Sequence, residues 1–316
     1  MTIPPDSLVT PRFCGVPTFM RLPLANTLDD LDVAILGLPS DSGSPFRTGA
    51  RFGPNAIRAA SLMLRPINPY RGGVDLFAAL RIADAGDAMV IPGYEQESLA
   101  CLEQAVRRLV DADVIPVCLG GDHSVSLPVL RAVASRRGPV ALVHFDSHTD
   151  TWDRYFGDLR YSAGTPFRRA VEEELVDPSH SIQIGMRGSL FRQDDVSQSE
   201  VLGYSVIDTD RLFELGPRRV AEAIAARVGN HPCYITFDMD FVDPASAPGV
   251  QTPEAGGPSA RESLHLLRLL PPLPICGADV VETNPLYDGP GQITALLAAT
   301  VAAEIIAMIA AAKPSP

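Results

Sequence analysis

ALVHFDSHTD (residues 141–150) begins as an apolar run and ends in alternating polar groups. Ala141, Leu142, Val143 and Phe145 predict a buried β-strand. Asp146, His148 and Asp150 follow at a spacing of two, which within a strand turns all three toward the same side. In parallel α/β sheets, ligands sit at the carboxyl ends of strands. The polar end of this run is therefore the first place to look for a site.

The same pattern repeats along the chain. Strands are expected at 31–39, 82–87, 114–124, 141–150, 181–188, 204–208, 233–244 and 275–285. Helices are expected at 55–64, 97–112, 127–137, 167–176, 218–229, 259–270 and 293–312. Alternating βαβα with near-continuous apolar strands means a mostly parallel sheet covered on both faces by helices. With no composition break and no repeat, residues 1–316 read as one domain.

Four of these strands end in conspicuous polar residues: GGDHS with Asp122 and His123, HFDSHTD, TFDMDFVDP with Asp238 and Asp240, and VVETNP with Glu282. One aspartate after a strand is ordinarily a turn or helix cap. Asp146, Asp150, Asp238 and Asp240 gathered at buried strand ends instead repel one another unless a counter-charge is present. Neither motif holds an Arg or Lys. Two divalent cations would balance the four aspartates, with neutral His123 and His148 completing the shell. An oxygen-rich set with imidazole suits manganese, with nickel, cobalt or zinc as alternatives. Two such metals lower the pKa of a shared water and aim it at an electrophile. His144 shares the strand parity of Asp146 and is either an outer-shell partner or a packed core residue. His180, His231 and His265 are given no role.

The bulk numbers narrow the function. A net charge of −12 argues against nucleic acid and mildly favours small cationic substrates. Hydrophobic content of 46% and charged content of 20% describe an ordinary globular chain. Five widely spaced cysteines without CxxC read as reduced thiols of a cytoplasmic protein. The N-terminus has no signal-peptide pattern. Ile293–Ala312 is long enough to span a membrane, yet Glu304 in its middle favours a buried helix over a single anchor. No GxSxG, GxGxxG or Walker A segment is present.

GGDHS (120–124), HFDSHTDT (144–151), FDMDFVDPASAPG (237–249) and VVETNPLYD (280–288), in this order, resemble the arginase–agmatinase (ureohydrolase) family, as does GARFGPNAIR (49–58). The resemblance implies a three-layer αβα arginase-like fold, a binuclear manganese site and trimers or hexamers. It implies hydrolysis of a guanidino compound to urea and an amine. By motif, His123, Asp146, Asp150 and Asp238 would hold one metal, and Asp146, His148, Asp238 and Asp240 the other. Glu282 would pair with the substrate guanidinium, and Asp150 and Glu282 are the candidate catalytic groups. PRFCGVPTFMRLP (11–23) is similar to the agmatinase-like branch that acts on guanidinobutyrate and guanidinopropionate.

The chain departs from that pattern at three places. Ala163 stands where relatives carry a substrate-facing His, PGVQTP (248–253) replaces PGTGTP, and ETNP (282–285) replaces EVSP. Ala163, Tyr161 and Arg187 are the further candidates for substrate contact, although a structural ion pair is the more expected role for Arg187. Besides a guanidino-acid hydrolase, the departures admit a nickel enzyme acting on guanidine or a biguanide such as metformin, or a non-catalytic subunit of a hetero-oligomer.

Overall fold

The computed structural model describes residues 4–313; the first three and last three residues of the expected domain lie outside the described residues. Short runs of aliphatic residues form eight strands: β1 (Val33–Leu38), β2 (Ile82–Asp87), β3 (Ile115–Gly120), β4 (Ala141–Phe145), β5 (Ile182–Met186), β6 (Ser205–Asp208), β7 (Cys233–Asp238) and β8 (Ile275–Val281). They pair in parallel as one sheet, in the order β2-β1-β3-β8-β7-β4-β5-β6.

Side chains of alternating parity feed two apolar layers. On one face, Val33, Ile35, Val143, Phe145, Ile235 and Phe237 pack under α1 (Gly53–Ser61), α2 (Leu76–Ala79), α7 (Thr209–Val228), α8 (Ala260–Leu269) and α9 (Ile293–Ala312). On the other, Ala34, Leu36, Leu142 and Tyr234 pack under α3 (Glu95–Asp111), α4 (Ser126–Arg137) and α5 (Pro166–Glu172). A short α6 (Ser197–Val201) leads into β6. The result is the three-layer αβα arrangement expected.

Most elements lie within a few residues of their expected positions. The helix expected at 218–229 is the second half of α7, whose first half begins at Thr209; the two are joined at Gly216 (φ 75°) and Pro217, residues that read as a break. α9 is packed into the core. Its Glu304 is buried because the Arg268 guanidinium of α8 meets its carboxylate at 2.7 Å. The helix is thus placed as a core element, and the membrane-anchor alternative has no support.

One sequence argument needs correcting. β4 ends at Phe145, before the polar residues, and β7 ends at Asp238. Residues 146–150 are loop, with Asp150 in the left-handed region (φ 51°), and Asp240 sits in a 3-10 turn over Met239–Phe241. The polar groups therefore do not converge through strand pleat. They converge because each strand turns sharply at its carboxyl end. Asp146 Oδ1 accepts the His148 N–H at 2.6 Å, Asp238 Oδ1 the Asp240 N–H at 2.7 Å, and Asp122 Oδ1 the Ser124 N–H at 3.0 Å. This D-x-X turn, closed by the aspartate's own carboxylate, bends the backbone at three strand ends.

Candidate metal centre

β3, β8, β7 and β4 are adjacent at the middle of the sheet, and the polar residues that follow each of them meet there. His123 is fully buried. Its Nδ1 lies 3.0 Å from Asp146 Oδ2, 2.8 Å from Asp150 Oδ2 and 3.1 Å from Asp238 Oδ2. None of these approaches has hydrogen-bond geometry, so Nδ1 is a buried nitrogen without a hydrogen-bond partner. Donor atoms bound at about 2.1 Å and at right angles lie about 3 Å apart, so one nitrogen and three oxygens at these spacings match edges of a coordination shell. His123 Nε2 lies 2.8 Å from Thr236 Oγ1. With the Nε2 proton directed at that hydroxyl, the Nδ1 lone pair faces the carboxylates.

A second group adjoins the first. His148 Nδ1 lies 3.1 Å from Asp240 Oδ2 and 3.5 Å from Asp146 Oδ1. Asp146 offers one oxygen to each side, as a bridging ligand must. Two sets of ligand atoms, His123–His144–Asp146–Asp150 and Asp146–His148–Asp240, are each close enough to share one ion, and Asp146 belongs to both. The donor set thus fits two divalent cations.

His144 supports Asp146. Its Nε2 lies 2.7 Å from Asp146 Oδ2 and its Nδ1 2.9 Å from Gln183 Nε2. The Gln183 amide also donates to the Thr149 carbonyl at 2.7 Å and accepts from the Ser199 hydroxyl, which settles its orientation. An amide N–H on Nδ1 leaves the imidazole proton on Nε2, pointing at Asp146. Ser147 steadies the other side, donating its hydroxyl to Asp240 Oδ1 at 2.7 Å.

The electrostatics carry the mark of crowded acids. Burial and the charges of Asp240 and Asp146 push Asp238 well above the usual carboxylate range. Burial and Asp146 raise Asp150. Burial with Asp238 and Asp122 raises Glu282 well above its ordinary value. Burial also opposes the charge on Asp146, but His144, His123 and His148 outweigh it and hold Asp146 well below that range.

A cavity of about 480 Å³ opens onto this cluster. His148, Asp150, Asp238, Asp240 and Glu282 line it, as do Ala163, Gln251, Phe46, Arg47, Trp152, Tyr155 and Phe191. Glu282, in the left-handed region (φ 64°), accepts the His123 N–H at 2.8 Å and the Gln251 amide at 2.9 Å, both on Oε1.

Two expected substrate contacts are elsewhere. Tyr161 does not line the cavity; it packs on the second apolar layer, its ring centre 5.9 Å from the Arg131 guanidinium. Arg187 also stays outside the cavity lining, and it makes no ion pair among the described residues. Its guanidinium donates to the backbone carbonyls of Gly185, Asp240, Phe241 and Glu254 at 2.7–3.2 Å, clamping the loop that carries Asp240. Thr236 and Gln183 were not singled out as site residues, while Gln251, marked by the PGVQTP departure, does line the cavity. Thr236 shares the parity of Asp238, and Gln183 is a polar residue inside an apolar strand, so both left a sequence signal.

A sequence profile described as the arginase family matches residues 31–308. The chain belongs to the arginase family. It is 42% identical to the guanidinopropionase of Pseudomonas aeruginosa over 97% of this chain and 96% of that one. It is 39% identical to the guanidinobutyrase of the same organism, over 95% and 94%. The solved structure of proclavaminate amidinohydrolase from Streptomyces clavuligerus superposes with a TM-score of 0.92 at 40% identity, covering 96% of this chain and all of that one (100%).

Proposed function

We propose that this arginase-family chain is a binuclear-metal amidinohydrolase that cleaves a C–N bond of a guanidino compound, giving urea or a urea derivative and an amine. The observation that carries the proposal is the pair of ligand clusters sharing Asp146, with a buried glutamate, Glu282, beside them. His123 and Asp150 would hold one ion, His148 and Asp240 the other, and Asp146 and Asp238 both, with manganese the first choice and nickel the alternative. Bound there, the two cations neutralise the aspartates and lower the pKa of a shared water.

The remaining work falls to side chains. Glu282, tied through Oε1 and free at Oε2, faces the planar cation and fixes its distance from the aspartates. Asp150 lines the cavity and is placed to take the proton released by the attacking water and return it to the leaving amine. Ala163 cannot donate a proton, so this chain relies on Asp150 or solvent for that step. Trp152, Tyr155 and Phe191 give the substituent an aromatic wall; Trp152 packs against both others at 5.3 and 5.8 Å between ring centres. The names of the relatives support a guanidino acid as substrate.

The test is to load the purified protein with manganese or nickel, measure metal per chain, and assay urea and amine release. The panel is 3-guanidinopropionate, 4-guanidinobutyrate, agmatine, arginine, guanidine and dimethylbiguanide. Turnover of at least one is expected, and Asp146→Ala should abolish it. No turnover of any by a chain carrying two metals would overturn the reading.

A further inference from the structure

Gln251 lies where the sequence resemblance expects glycine, and its side chain is 1% exposed. Its amide N–H donates to Glu282 Oε1 at 2.9 Å, and the His123 N–H reaches the same oxygen at 2.8 Å. Two donors therefore occupy one oxygen of the carboxylate. Two acceptors remain buried without a partner among the described residues: Glu282 Oε2 and Gln251 Oε1. Both residues line the cavity.

The loop bearing Gln251 is held in place. The Gly249 N–H donates to Thr294 Oγ1 at 2.9 Å, the Asn284 N–H donates to the Gly249 carbonyl at 2.7 Å, and Val250 is fully buried. The segments 248–253 and 282–285 are thus bonded to each other. Buried acceptors left open at a cavity wall destabilise the fold unless a ligand supplies donors.

A carboxylate with both oxygens free takes a guanidinium alone, through two parallel N–H bonds. Here Oε1 is engaged. Resting on the proposed function, we infer that Gln251 Oε1 is the second acceptor, so the guanidino group is held across a carboxylate–carboxamide pair. Gln251 is then a specificity-determining residue. It favours guanidino compounds that keep N–H donors on the terminal nitrogens and rejects those in which a terminal nitrogen is dialkylated.

The experiment compares 4-guanidinobutyrate with its analogue dimethylated on one terminal nitrogen. Binding to the metal-loaded protein is measured by calorimetry, with KM and kcat alongside. The wild type should bind the parent compound about tenfold or more tighter than the analogue. Gln251→Leu should reduce that ratio to about twofold, raising KM for the parent about tenfold while kcat changes less. If Gln251→Leu melts early or loses metal, Gln251→Gly, which adds no apolar bulk, gives the same ratio. A residue that only braces Glu282 would weaken both compounds alike, and a preserved ratio overturns the inference. If the wild type binds neither compound, the guanidino reading fails and the inference falls with it; if it binds and turns over the parent but the ratio persists in the variants, the inference alone fails.

Discussion

The four aspartates at the sheet centre make the stability of this chain depend on divalent metal, to an extent the structure allows to be worked out. Asp146, Asp150, Asp238 and Asp240 pair only with histidines among the described residues. Like charges about 4 Å apart cost about 4 kcal/mol per pair at an effective dielectric near 20. Two dications cancel the four negative charges. A ligand present at about 100 times its Kd stabilises the fold by about 2.7 kcal/mol per site, so about 5 kcal/mol for two. At about 2 °C per kcal/mol for a chain of this size, melting should rise by about 10 °C on adding metal after chelation. Asp146→Asn, which removes the shared carboxylate, should abolish the whole rise and bring bound metal from two per chain toward none. Asp240→Asn should keep one metal and about half the rise. The rise should also grow with pH. Asp150 and Asp238 have raised pKa values in the folded chain, so the metal-free form loses stability as pH climbs from the ordinary carboxylate value through the raised one. The assay is thermal melting with metal analysis at several pH values. Equal effects of the two substitutions, or no rise with manganese or nickel, would refute two ions sharing Asp146.

The cavity gives Ala163→His room to restore an imidazole at the substrate; kcat for guanidino acids should rise about tenfold or more, and an unchanged substrate profile would show that Ala163 is incidental. Arg58 of α1 holds fully buried Asp84 through two bonds of 2.9 and 3.0 Å, so Arg58→Met should cost about 3–5 kcal/mol by stranding that carboxylate, read as a lower urea midpoint at unchanged m-value. Glu95, at the start of α3, is pushed up to about 7 by burial and by Asp122. Its charging costs the fold stability as pH rises from about 4.5 to 7, so Glu95→Gln should raise melting at pH 8 by about 2 °C, after discounting for solvent contact, and leave it unchanged at pH 4; an equal effect at both would refute the assignment.

The sheet and the cluster of carboxylates and imidazoles at its centre were legible in the sequence because both rest on local patterns. Aliphatic runs bounded by polar residues mark strands, and carboxylates at spacing two mark a site whatever bends them together. The bending itself was misread. Pleat and Asx turn give the same spacing of side chains, and only the backbone N–H bonded to Asp146 Oδ1 or Asp238 Oδ1 tells them apart. Tyr161 and Arg187, named as candidate substrate contacts, do not line the cavity, for a different reason. A phenol in the long loop after β4 or a guanidinium just past the end of β5 can turn into the cavity or away from it, and that choice is made by distant partners, Arg131 for one and the carbonyls of 240–254 for the other. Gln251 was marked by its departure from the family pattern, but its contact with Glu282 was not legible because it joins residues 31 apart.

The departures from the family pattern separate by what they touch. None of them belongs to the His/Asp clusters that could hold the cations. Ala163 removes a proton donor from the cavity lining, while Gln251 places a carboxamide beside Glu282. Ala163 is itself held in position, its N–H donating to the Gly43 carbonyl at 2.9 Å, so the wall is shaped rather than loose. A cavity with less acid–base help and more hydrogen-bond acceptors suits a substrate rich in N–H groups whose leaving amine needs little protonation. On this argument residues 163 and 251 act on different parameters: Ala163→His should raise kcat for guanidino acids and Gln251→Gly should raise their KM, so a double variant with kcat/KM above that of Ala163→His alone would refute the role given to Gln251.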